Sequence, residues 1–124
     1  MKAAPYFLML TAALALSACN KELGEVNLAP TCKDQKVISA AQGQGVVLFD
    51  QREQAYTIHY SVPGSIDSKI VGFICGELPS AFRQDSLEVS FTGSYLAFDK
   101  YASPIGGEEY YYLSLSQIAR VTGE

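Results

Sequence analysis

The side chains with the most chemistry to offer are three cysteines, one histidine, eight tyrosines and a scatter of carboxylates. His59 is the one general-base candidate near neutral pH. Its neighbours Thr57 and Ser61 alternate with apolar residues, so all three share the polar face of a strand. No nucleophile motif accompanies it, and it reads as a surface histidine. The carboxylates, among them Asp50, Glu53, Glu77, Asp99 and Glu108, are those any small acidic domain would carry. They form no pair that marks a glycosidase and no calcium-loop spacing. A zinc site normally takes four ligands, and one histidine with no Cys-x-x-Cys does not supply them. Gly-x-Gly-x-x-Gly, the phosphate loop and Gly-x-Ser-x-Gly are also missing from the sequence. No catalytic residue, metal or cofactor is therefore expected.

Tyrosine is the enriched type, against no tryptophan. In Tyr110-Tyr111-Tyr112, strand alternation puts Tyr110 and Tyr112 on one face and Tyr111 on the other. Tyrosine offers a large contact area at low entropic cost. Tyr110, Tyr112, Tyr101 and Tyr95 are thus the candidate ligand or partner contacts. Aromatics also favour strands and fill barrels, which is the competing explanation for them.

These residues sit in a chain punctuated like a β-protein. Gly45–Phe49 is a continuous apolar run closed by the polar turn Asp50-Gln51-Arg52-Glu53. Tyr56, Ile58, Tyr60 and Val62 alternate with polar residues until Pro63-Gly64-Ser65. Lys69–Cys75 is apolar on both faces, as a central strand should be. Leu87, Val89 and Phe91 alternate with Glu88, Ser90 and Thr92, and past Gly93 the apolar phase shifts, which predicts a bulge. The last strand runs from Tyr110 to Val121. Between the third and fourth strands, Pro79 opens one or two turns of helix with Leu78 and Phe82 on one face. The expected fold is mainly β, a small five-stranded OB-like barrel with one short helix between strands 3 and 4; a small β-sandwich is the alternative. In such a barrel the 99–109 loop borders the usual ligand face.

The N-terminus carries a different signal. Met1-Lys2 precedes an apolar run, Tyr6 to Ala18, whose helical length of about 20 Å falls short of the ~30 Å hydrocarbon core. That describes a signal peptide. The run ends in Leu16-Ser17-Ala18-Cys19, which resembles the lipobox of bacterial lipoproteins. The resemblance implies cleavage before Cys19 and a diacylglycerol on its sulfur, with the membrane as partner through the anchor. Asn20 after the cysteine is compatible with outer-membrane delivery. Asn20-Lys21-Glu22 resembles in part the export tag of surface lipoproteins in Bacteroidetes-type bacteria, so both periplasm-facing and surface-facing orientations are expected. Ile74 to Pro79 with Leu87 to Gly93 is similar to small lipoproteins of those bacteria, a group whose resemblance implies no catalytic residue.

With Cys19 assigned to lipid, Cys32 and Cys75 remain. An exported chain with an even remainder points to a disulfide. Residues 1–18 are then signal peptide, 19–31 the lipidated cysteine with a flexible tether, and 32–124 a single β-domain. The net charge of −4 becomes one unit more negative once Lys2 leaves with the leader. Spread acidity without a basic cluster argues against nucleic acid. The expected role is a lipid-anchored, non-enzymatic binding module that contacts an envelope protein or a glycan. The alternatives are a structural accessory subunit and an inhibitor.

Overall fold

The computed structural model describes residues 26–28, 32 and 35–121. Cys19, the leader and most of the expected tether lie outside them. Among the described residues six strands are present: β1 (Val26–Asn27), β2 (Val37–Asp50), β3 (Ala55–Ser61), β4 (Lys69–Ile74), β5 (Leu87–Ala97) and β6 (Glu108–Arg120). They form one sheet whose hydrogen bonds run in a ring, from β6 through β4, β3, β2 and β5 back to β6. All neighbours are antiparallel except β4 and β6. Five strands closed in this way, with a single turn of 3₁₀ helix (Ser80–Phe82) between β4 and β5, make the small OB-like barrel.

The alternation read from the sequence explains which side chains fill it. Val47, Ile58 and Leu113 point inward and are fully buried. Cross-strand pairing aligns Val47 with Ile58, and Ile58 with Gly72. A Cβ on Gly72 would stand 2.9 Å from the Leu113 Cβ and 3.3 Å from the Tyr95 ring, so the missing side chain is what admits Tyr95. The phase shift past Gly93 is a bulge: the β5–β6 register slips between Thr92 and Gly93. There a Cβ would collide with the Ser114 carbonyl oxygen, so only glycine fits. Leu78 and Phe82 cap one end of the core from the helical turn, both nearly inaccessible.

Two features differ from the expectation. The strand expected to open at Gly45 begins eight residues earlier, at Val37. Ser39, Ala40, Ala41 and Gln42 show no alternation, and their pairing with the distant β5 creates the strand. Within the expected tether, Val26 and Asn27 pair with Ile118 and Gln117 of β6, and the Leu28 amide donates to the Ser116 carbonyl at 2.9 Å. Val26 and Leu28 pack against the core. The chain is therefore already fastened to the barrel at residue 26.

Cys32 and Cys75 stand at disulfide distance, with Cα atoms 5.5 Å apart. This separation lies in the preferred range for such a bond. The Cys75 amide donates to the Leu113 carbonyl at 3.0 Å, which holds the end of β4 against β6.

Candidate functional site

The outer face of β4 and β6 should meet water in a simple barrel. Instead Val71 and Phe73 on β4 and Leu96 on β5 are each about as buried as the interior residues. The cover is the β5–β6 loop, residues 98–107. Phe98 stacks on Phe73 at 4.7 Å with ring planes 12° apart, and it also touches Tyr112 at 4.9 Å. Tyr110 meets Phe73 edge-on at 5.1 Å, and Tyr101 meets Phe98 edge-on at the same spacing. Five rings thus make a second, outer cluster in offset and edge-to-face contact, the arrangements aromatic quadrupoles favour.

The β2–β3 turn closes on this cluster from the other side. The Arg52 guanidinium lies 3.7 Å above the centre of the Tyr101 ring. The Tyr101 hydroxyl donates to Glu53 Oε2 at 2.8 Å, and Lys100 Nζ donates to Glu53 Oε1 at 2.7 Å. The hydrogen bond from Lys100, then that from Tyr101, holds the Glu53 carboxyl below the usual carboxylate range. The foot of the loop is tied separately: Ser103 Oγ donates to Glu108 at 2.7 Å, and the Lys69 amide to the Gly107 carbonyl at 2.9 Å. Between loop and β6 lies an open groove of about 410 Å³, with Tyr101, Ser103, Glu108 and Tyr110 on its walls. Ile105, at the loop tip, is 60% exposed.

Three of the four tyrosines expected as contacts come together here. Tyr101, Tyr110 and Tyr112 are half-buried members of the outer cluster. Tyr95 does not join them. It points into the barrel, is 4% exposed, and packs against Tyr111 at 5.6 Å. Its expected contact role is corrected by the bulge at Gly93 and the space at Gly72, which together turn and admit the ring. Burial, and secondarily Tyr60, pushes the Tyr95 phenol up to about 12, and among the described residues its hydroxyl has no hydrogen-bond partner. The expected lipid site, Cys19, lies outside the described residues.

The sequence reading passed over Arg52, Glu53, Lys100, Phe73 and Phe98. One signal for them was present. An outer face as apolar as that of Lys69–Cys75 requires a cover, and the 98–107 loop supplies it.

His59 lies on the outer face of β3, opposite Val46 of β2 and Val71 of β4. Burial, then the positive charge of Lys69, lowers its pKa, while Glu108 and Asp50 act the other way. A lowered folded value means that the unfolded chain binds the proton first as the pH falls. Stability should therefore decline as the pH drops through about 6.5, the ordinary histidine value. His59→Gln should flatten that part of a melting-temperature profile. The Glu53 contribution, lost as the pH falls through the ordinary carboxylate range and below, should survive in the variant. An unchanged slope near pH 6 in His59→Gln would show that another group is responsible.

Among the described residues no cluster of three or more potential metal ligands occurs, and no helix is long and apolar enough to cross a membrane. Fold and site together define a class: a β-barrel with a loop-built aromatic face held shut by a cation and a carboxylate. No protein-family model and no curated protein sequence matches the chain.

Proposed function

We propose that this is a lipid-anchored envelope protein acting as a non-catalytic binding module, with another envelope protein as its partner. The observation that carries the reading is the meeting of the β2–β3 turn and the β5–β6 loop over the aromatic cluster. In OB barrels these two loops, with the strands between them, form the surface that takes ligands. The face combines features that favour recognition: half-buried tyrosines, a cation stacked on an aromatic ring, and an exposed isoleucine. Because Arg52, Glu53, Lys100 and Tyr101 already hold one another, little side-chain freedom is left to lose on binding.

A glycan is the second ligand class, favoured by the groove between Tyr101 and Tyr110, where a sugar ring could lie against aromatic faces. A structural accessory subunit and an inhibitor are the remaining readings. The anchor rests on the lipobox at Cys19, and delivery to the outer membrane, periplasm-facing or on the surface, rests on Asn20. Two or three acyl chains at about 0.8 kcal/mol per buried CH₂ make attachment stable. Cys19→Ser should move the protein from the membrane pellet to the soluble fraction after cell lysis. Firm attachment of that variant would overturn the anchor.

A further inference from the structure

β2 is bonded unequally along its length. Residues 37–47 pair with β5 on one side, whereas β3 joins the other side only from Val46 onward. Among the described residues no other backbone group reaches the free side of Val37–Gln44. Eight extended residues at about 3.3 Å each offer an open edge of about 26 Å. Its side chains are uncovered as well: Val37 is 60% and Ile38 46% exposed, and Ser39 and Ala40 are exposed beside them.

Soluble β-proteins usually guard such an edge with lysine, proline or an inward charge. This one carries no charged residue from Val37 through Phe49 and no proline. The whole chain carries a net charge of −4, so two copies repel across most of their surfaces. The β2 edge is where they can approach without like charges facing each other.

We propose that this edge pairs with the same edge of a second copy of the chain, antiparallel about a two-fold axis near Ala40 and Ala41. Two barrels would thereby share one continuous sheet. Side chains that face each other across an antiparallel pair must lie on the same face, so a two-fold pairing centres on one residue. On the regular stretch past the bulge at Ile38, centring on Ala40 sets Ser39 opposite Ala41 of the other copy, and centring on Ala41 sets Ala40 opposite Gln42. Ser39, Ala40 and Ala41 at the axis are small enough for the two backbones to close. A foreign strand chosen by charge would find nothing here to select it.

The test is the mass of the full chain in detergent, measured by light scattering with the detergent subtracted, across a hundredfold range of protein concentration. The wild-type protein should show twice the chain mass. Ile38→Lys, which places a lysine on an exposed edge position in both copies, should weaken the dimer at least tenfold while the circular dichroism stays the same. Ala40→Pro, which removes an edge donor, should do likewise. A photo-crosslinking side chain at position 38 in intact cells should give an adduct of two identical chains. Wild-type monomer throughout, a dimer unaltered in both variants, or an adduct with a different protein would each overturn the proposal.

Discussion

Cys75→Ser is expected to lower the unfolding free energy by about 4 kcal/mol. The cysteines are 43 residues apart, and closing a loop of that size removes roughly this much chain entropy from the unfolded state. A small domain has on the order of 5–15 kcal/mol in all, so much of its stability hangs on this one link. The geometry explains where the loss would be felt. Cys75 ends β4 just where that strand leaves β6, and Cys32 leads into β2. Without the link, the end of β4 keeps its amide bond to Leu113 but loses its tie to the N-terminal segment. Urea unfolding of oxidised wild type, reduced wild type and the variant is the measurement. The last two should agree with each other and fall well below the first. Equal midpoints for all three would mean that the pair contributes nothing.

Phe73→Ala is the second large effect, expected to cost about 3–5 kcal/mol, the usual range for emptying a buried phenylalanine site. Phe73 is 2% exposed although it points away from the barrel interior, because Phe98 and Tyr110 cover it. The truncation removes the floor on which the β5–β6 loop rests. Hydrogen exchange should therefore quicken in residues 98–107 before it does in β2 or β3. Phe98→Ala should loosen the same loop with a smaller loss of stability. A cost under about 1 kcal/mol for Phe73→Ala, with the loop still protected, would show that the loop does not pack on β4.

Much of the barrel was legible because its strands alternate. Ile58 and Tyr60 turn inward while His59 turns outward, as the pattern of Tyr56–Val62 required, and the bulge at Gly93 was marked by the apolar phase shift from Phe91 to Leu96. The split of Tyr110 and Tyr112 from Tyr111 followed from the same period of two. Other features were hidden for physical reasons. Val37–Gln44 is a strand because β5 pairs with it from some fifty residues away, and its small polar residues carry no periodic signal of their own. Tyr95 is enclosed because Gly72, on another strand, makes room for it, and a space of that kind is not encoded near Tyr95 itself. Arg52 and Glu53 looked like ordinary turn residues. Their role depends on where a loop nearly fifty positions later folds down.

That junction is where the functional account stands or falls. In the proposed function the outer aromatic face, with its locked cation and carboxylate, is the surface through which a lipid-anchored protein would recognise a partner. The direct test is co-purification from detergent-solubilised envelopes, comparing the anchored wild type with an Arg52→Ala/Tyr110→Ala double variant that is normally folded and normally attached. The wild type should recover one envelope protein in stoichiometric amount, and the double variant should recover at least tenfold less of it. Equal recovery by the two would contradict the account, because the partner would then be held by some other part of the molecule.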